Sequence, residues 1–397
     1  MLETRIAKEL AYISQAGLAR RITELYFVNP AQAQDRTGKT YLVLASNNYL
    51  GFTHVPEVIE AASRAALKFG TGSSGSRLTT GGTFIASELE KRLADFKHSE
   101  SALVFNTGYM TNLGVLYGLL QTGDVVFSDE LNHASIIDGC RISRCKVVVY
   151  KHNDMADLQR LLETEIVTGQ RFIVTDGVFS MDGDIADLPS LAVLKKQFNA
   201  FLIVDDAHGV GVIGNDGSGT ASHYGLTDVI DLQVGTLSKA LAAEGGYVAG
   251  KKILIDYLIN RSRPFIFSTA LAPATLAAAN AALLLLQTQA SKYLDSLRAN
   301  SRLMRRLLLE GGLNVVEGIT PIIPVVIGEA GLTMQFADRL KSKGILVSGI
   351  RPPTVPRGES RLRITVTAAH CEEQLRQAAQ IITALWQELK HGEKKEG

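Results

Sequence analysis

The chain has 397 residues, 46% of them hydrophobic and 20% charged, which suits a globular protein and exceeds what one core usually fills. Lysine and arginine number 41 against 40 aspartates and glutamates, a net charge of +1, so no basic surplus points to nucleic acid or an anionic membrane. Cys140, Cys145 and Cys371 are odd in number and form no CxxC pair, which argues against a disulfide or zinc framework and for a reducing, cytoplasmic setting without a metal. Residues 2–25 have helical spacing, end near Arg20 and Arg21, and lack the apolar stretch of a signal peptide. A short strand is expected at 41–45. Strands and helices then alternate: strand 102–105, helix 108–120, strand 125–128, a helix beginning near His133, strand 146–150, helix 155–163, strand 171–175, a helix after Pro189, and strands 201–204, 232–235 and 246–249. Strands separated by helices predict a mostly parallel α/β sheet covered on both faces. The most apolar segment, 276–286, is too short to cross a bilayer and contains Asn280, so a buried helix is expected there, within a helical run from Pro273 to Leu309. Strands at 321–327 and 362–366 outline a smaller C-terminal domain. The expected division is an N-terminal arm at 1–50, a large domain at 51–285 and a small domain at 286–397.

Lys239 carries the strongest chemical signal. It lies in Gly235-Thr236-Leu237-Ser238-Lys239-Ala240, directly after one apolar strand, while another ends upstream in Asp205-Asp206-Ala207-His208-Gly209. Ligands bind α/β sheets outside the carboxyl ends of the strands, where Asp205, His208 and Lys239 all fall. A lysine and a carboxylate so placed suit pyridoxal 5'-phosphate (PLP): the amine condenses with the aldehyde and the acid pairs with the ring nitrogen. A lone lysine on such a loop is usually a solvated charge, so the surrounding motifs decide the matter.

Gly209-Val210-Gly211-Val212-Ile213-Gly214 matches G-x-G-x-x-G, but a dinucleotide site requires a helix to open there. Asn215-Asp216-Gly217-Ser218-Gly219 follows instead and predicts a loop. The glycine-rich stretch 70–77 lacks the G-K-[ST] ending of a P-loop and reads as a connection or subunit contact near a cleft as readily as a phosphate cradle. Asn106-Thr107-Gly108-Tyr109 joins a strand to a helix, where free backbone N–H groups seat a phosphate, with Thr236 able to add a hydroxyl. His133 sits between a strand and a helix, as a cap or as an imidazole lying on a flat cofactor. The acids of 176–184 lack calcium-loop spacing, and Ser180 among them is placed to hydrogen-bond a ligand. Arg361 and Arg363 alternate with Leu362 and Ile364 and so share one face of a strand, where an enclosed arginine suits a substrate carboxylate.

Together these segments resemble the α-oxoamine synthases, PLP enzymes of the aspartate-aminotransferase fold type. The resemblance runs from Ser46-Asn47-Asn48-Tyr49-Leu50-Gly51 to Thr365-Val366-Thr367-Ala368-Ala369-His370, and rests on 132–135, 178–183, 205–208 and 236–239 at matching intervals. It implies fold type I: a large domain with a mostly parallel seven-stranded sheet flanked by helices, plus a smaller α+β C-terminal domain. By this similarity Lys239 carries PLP, Asp205 pairs with the pyridine nitrogen, Ser180 and His208 contact the ring hydroxyl, and His133 stacks on the ring with Ala207 behind it. Gly108, Tyr109 and Thr236 would serve the phosphate, joined by Ser268 or Thr269 from a second subunit of a homodimer. Arg20 (or the adjacent Arg21), His133, Thr354 and Arg363 would meet the substrates.

Within the family, 350–356 followed by Arg361-Leu362-Arg363 is most similar to members that condense L-alanine with pimeloyl-CoA or the acyl-carrier-protein thioester, with loss of CO2, for biotin biosynthesis. In that reaction a charge pair at ~4 Å and an effective dielectric of ~20 makes Asp205 worth about 4 kcal/mol to a protonated ring nitrogen. One departure is that many members carry a histidine ahead of Glu88-Leu89-Glu90, where this chain reads Phe84-Ile85-Ala86-Ser87. The alternatives are a glycine-using relative taking an acetyl thioester, long-chain chemistry of the serine palmitoyltransferase kind, and a non-catalytic binding protein that kept the fold.

Overall fold

The computed structural model describes residues 1–15, 18–20 and 22–396. Seven strands form the central sheet: β1 (Ser101–Phe105), β2 (Val125–Asp129), β3 (Lys146–Tyr150), β4 (Arg171–Asp176), β5 (Ala200–Asp205), β6 (Leu232–Thr236) and β7 (Gly246–Gly250). Their spatial order is β1-β7-β6-β5-β4-β2-β3, and only β7 runs against its neighbours. The expected mostly parallel α/β sheet is therefore present, each strand within a residue or two of its expected position.

Side-chain alternation explains why both faces are covered. Leu103, Phe105, Val126, Val174, Ile203 and Val234 pack with helices Gly108–Leu119, Ala134–Ser143 and Lys252–Arg261. The intervening Phe127, Ile173, Leu202 and Val204 pack with helices Met155–Thr164 and Leu188–Phe198 on the other face.

A smaller unit carries an antiparallel sheet of β8 (Ile322–Gly328), β9 (Ser348–Ile350) and β10 (Ser360–Thr365) in the order β8-β10-β9. Its separate core joins Ile323, Leu362 and Ile364 to helices Ala330–Ser342 and Glu372–Glu396 through Phe336, Leu340, Leu375 and Trp386. The N-terminal strand Thr40–Val43 pairs in parallel with Ile345–Leu346, so the start of the chain is stitched to this unit. Helix Pro273–Glu310 links the two cores, burying Leu276, Ala279, Leu283 and Leu286 in one and Met304 and Leu308 in the other, with non-helical torsions at Gln289 (φ −133°, ψ 28°). The apolar segment 276–286 is thus a packed helix, and among the described residues no helix is long and apolar enough to cross a membrane.

One expectation is corrected and one is met. The N-terminal helix is described over Leu2–Gln15, and residues 18–20 and 22–25 are not helical, so it does not reach residue 25. Residues 209–217 are turns and bends and 218–219 are irregular, as the rejection of a dinucleotide site requires.

The glycines of that stretch make room for a buried charge. Asp206 is 1% exposed and receives Lys97 Nζ at 3.2 Å and Thr220 N and Oγ1 at 3.0 and 2.9 Å. A Cβ on Gly209 would lie 1.9 Å from one Asp206 oxygen, and one on Gly219 (φ +112°) 1.7 Å from the other. Lys97 also donates to Ser218 O, so one ammonium holds both ends of the loop that follows β5. Breaking a buried pair strands a charge in low dielectric. Lys97→Met should cost about 3–5 kcal/mol in urea unfolding, and the double variant with Asp206→Leu should recover much of it.

Candidate active site

Parallel strands end in register, which gathers their C-terminal residues along one edge. Asp176 and Asp205 are direct partners across β4 and β5, and β6 ends beside them in Thr236, three residues before Lys239. Asp205 is 6% exposed, its Oδ1 accepting the Ala207 N–H at 3.0 Å and its Oδ2 the Asn112 amide at 2.6 Å. Among the described residues the Lys239 amine makes no hydrogen bond. Burial lowers its pKa; the charges of Asp205 and Asp176 oppose that shift and Arg363 adds to it. Burial, then repulsion from Asp205, pushes the Asp176 carboxyl well above the usual carboxylate range.

His133 caps helix Ala134–Ser143 and opens onto the cleft. Its backbone N–H donates to Asp176 Oδ2 at 3.1 Å and its Nδ1 lies 2.7 Å from Ser135 Oγ. Burial and the Lys239 charge lower the His133 pKa, with Asp205 opposing. His208 is held well below the ordinary histidine value by burial, Lys239 and Arg363, and its Nδ1 is 2.6 Å from the Tyr49 hydroxyl. Tyr49 is fully buried, which raises its phenol to about 12.

Arg363 reaches this edge from β10 in the small unit. Its Nε donates to Ser180 O, one terminal nitrogen to Thr365 Oγ1 at 3.0 Å and the other to Asn47 Oδ1 at 3.1 Å. A guanidinium has five N–H donors, so these three bonds leave one on each terminal nitrogen for a two-oxygen ligand. Arg361 shares the strand face, as alternation predicts, but its charge is met by the carboxylates of Asp182 and Glu359, whereas the three acceptors on Arg363 are neutral oxygens.

At the start of helix Gly108–Leu119 the Thr107 side chain accepts the Met110 N–H, leaving the N–H groups of Gly108 and Tyr109 without intrahelical partners. A Cβ on Gly108 would touch Thr236 Oγ1 at 3.4 Å, an ordinary van der Waals contact that places the Thr236 hydroxyl beside the helix start. The Tyr109 hydroxyl donates to Asp138. A half-buried amine with no hydrogen-bond partner among the described residues, a carboxylate and a helix N-terminus with a hydroxyl match the aldehyde, pyridine nitrogen and phosphate of PLP in donor chemistry.

The remaining expected residues are scattered. Ala207 lies beside Asp205, and among the described residues the Ser180 hydroxyl has no hydrogen-bond partner. Ser268 and the exposed Thr269 follow helix Arg263–Ile266, with Thr269 O accepting the Asn106 amide at 2.7 Å within the same chain. Arg20 and Thr354 are both exposed, and the side chain of neither joins the network. Their segments approach each other where Arg351 reaches Ala19 O at 3.5 Å. Arg21 lies outside the described residues.

Sequence reasoning assigned no role to Asn112, Asp176, Tyr49 or His152. Asn112 lies mid-helix and Tyr49 in a turn, with nothing local to mark them; Asp176 was visible as the last residue of a strand next to Asp205's strand. His152 bridges Asp129 Oδ1 at 3.0 Å and Asp184 Oδ2 at 2.9 Å, with its ring edge-on to Phe179. It pins the loop carrying Ser180.

The aminotransferase class I and II pattern matches residues 39–382, and the chain belongs to that family. Among its relatives are an 8-amino-7-oxononanoate synthase of Lysinibacillus sphaericus, 47% identical over 94% of this chain and 96% of that protein, and one of Trichlorobacter lovleyi, 49% identical over 97% and 98%. Among solved structures, a serine palmitoyltransferase from S. paucimobilis with bound PLP superposes with a TM-score of 0.92 at 31% identity, covering 97% of both chains. The 8-amino-7-oxononanoate synthase of Francisella tularensis gives 0.75 at 29% identity, covering 89% of this chain and 98% of that one.

Burial would lower the His152 pKa, but hydrogen bonds and charge from Asp129 and Asp184 more than reverse this and raise it from 6.5 to about 10. A raised folded-state value means that the stabilisation is complete below pH 6.5 and drains away as pH climbs towards about 10. The urea midpoint of the wild type should therefore fall between these limits, and His152→Gln should flatten that fall.

Proposed function

We propose that this enzyme condenses L-alanine with pimeloyl-CoA, or the acyl-carrier-protein thioester, releasing the thiol and CO2 and forming 8-amino-7-oxononanoate for biotin biosynthesis. The observation that carries the reading is the convergence of Lys239, Asp205 and Arg363 on one sheet edge, the Lys239 amine free of hydrogen bonds among the described residues and Arg363 bonded only to neutral oxygens. Identities of 45% to 49% over nearly the whole chain to proteins named for this product support it. Free Cys140, Cys145 and Cys371 suit the cytoplasm.

PLP, when bound, supplies an aldehyde for amine capture and a ring that draws the electron pair away from the amino acid's Cα. Lys239 would hold the aldehyde, Asp205 the pyridine nitrogen, Ser180 and His208 the ring hydroxyl, and Gly108, Tyr109 and Thr236 the phosphate, with His133 and Ala207 on the two ring faces. Ser268 and Thr269 would reach the phosphate of a partner's site in a homodimer, which the exposed position of Thr269 suits.

The chain's own groups then divide the work. Arg363 grips the alanine carboxylate through its two remaining N–H groups. The Lys239 amine, its pKa lowered by burial, takes the Cα proton once released. His133 donates a hydrogen bond to the thioester carbonyl oxygen as negative charge develops there. Arg20 and Thr354 lie on exposed segments suited to the acyl donor.

A matrix of amino acids against acyl thioesters, read by free thiol, should peak at alanine with the C7 donor. A peak at glycine with acetyl-CoA would overturn the assignment. Lys239→Ala should abolish both turnover and the visible absorbance of the bound cofactor. Asp205→Asn should lower kcat by at least about a hundredfold, the scale of a 2.7 kcal/mol loss, while retaining most of the cofactor.

A further inference from the structure

The hydrogen bonds around His133 have a direction that the distances alone settle. Ser135 N–H, which can only donate, points to His133 Nδ1 at 3.2 Å, so Nδ1 carries a lone pair and no proton. With Nδ1 an acceptor, the Ser135 hydroxyl 2.7 Å away must also donate to it. That hydroxyl oxygen in turn accepts from Asn112 Nδ2 at 2.8 Å. The second hydrogen of the same amide goes to Asp205 Oδ2 at 2.6 Å, a carboxylate oxygen that only accepts, and this independently excludes a flipped Asn112. Asn112 and Ser135 are 2% and 1% exposed, so water does not compete for these bonds.

We infer that Asn112 and Ser135 are positioning residues that hold His133 as the neutral imidazole with its proton on Nε2. In that state His133 is a hydrogen-bond donor towards the cleft and not a base. The inference rests on the proposed condensation for its use, since the group that profits from such a donor is the thioester oxygen. It also couples two parts of the site. The charge on Asp205 orients the Asn112 amide, the amide orients the Ser135 hydroxyl, and the hydroxyl fixes the tautomer. Desolvation and the nearby Lys239 charge, which disfavour its cation, act in the same sense.

The test is a histidine side-chain nitrogen–proton correlation spectrum of the protein stripped of cofactor, with the His133 signals identified by their loss in His133→Asn. The wild type should show an unprotonated Nδ1 and a protonated Nε2 near neutral pH. The backbone N–H of residue 135 remains in both variants, but Ser135→Ala removes the shorter bond to Nδ1 (2.7 against 3.2 Å) and Asn112→Leu leaves the Ser135 hydroxyl unoriented. Each should therefore populate the other tautomer alongside the first and lower kcat about tenfold, with the alanine KM within about twofold, because the amino acid is held by Arg363. Ser135→Thr keeps the hydroxyl and should keep both spectrum and rate. Asp205→Asn should alter the His133 signals although the two side chains share no bond. A proton on Nδ1 in the wild type, or an unchanged spectrum and kcat in Ser135→Ala, would overturn the inference. A correct spectrum in an enzyme that accepts no acyl thioester would sink the proposed reaction and leave the tautomer assignment standing.

Discussion

The ion pair between Lys97 and Asp206 is the constraint on which the site depends. A carboxylate 1% exposed next to the end of β5 is tolerable only because an ammonium and two Thr220 donors surround it. It takes the space where side chains on Gly209 and Gly219 would lie, and so dictates the path of the chain from 206 to 219. With that path set, the preceding turn presents Asp205, Ala207 and His208 to the cleft as a rigid group. The residue that looks inward to the core and the one that looks outward to the site are consecutive, which is how a strand end converts packing energy into placement.

Three separate stretches of chain complete the constellation. Tyr49 and Asn47 come from the turn after the N-terminal strands, Arg363 from the small unit, and Ser180 from the loop that His152 pins. Arg363 bonds to Asn47 and Ser180 together, and Arg361 to Asp182, so the small unit is fastened to the large one at the site itself. Any shift between the units would move the guanidinium relative to Lys239. The placement of the Arg363 guanidinium and the relative position of the two cores are therefore one mechanical problem.

Two solved relatives of nearly equal sequence identity differ in backbone likeness. The serine palmitoyltransferase chain superposes better than the 8-amino-7-oxononanoate synthase from Francisella tularensis, TM-scores 0.92 and 0.75, although both are about 30% identical to this protein. The fold by itself therefore does not separate the two named activities, because function lives in side chains that a backbone superposition does not weigh.

Hydrophobic runs of four to six residues alternating with helical spacing sufficed to locate the seven strands, because strand burial on both faces writes itself locally into the chain. The same locality made Lys239, Asp205, His208 and His133 visible, each lying just beyond a strand or at a helix start. Asn112 and Tyr49 were invisible as functional residues: one looks like any mid-helix amide and the other like a turn aromatic, and their partners are 93 and 159 residues away. Arg361 and Arg363 looked alike from alternation, and only three-dimensional packing separated them, since the carboxylates of Asp182 and Glu359 neutralise Arg361 whereas Arg363 bonds only to neutral oxygens. Local order along the chain determined which groups stand at the sheet edge; the direction of each hydrogen bond between them depends on non-local contacts, and only the folded chain supplies those.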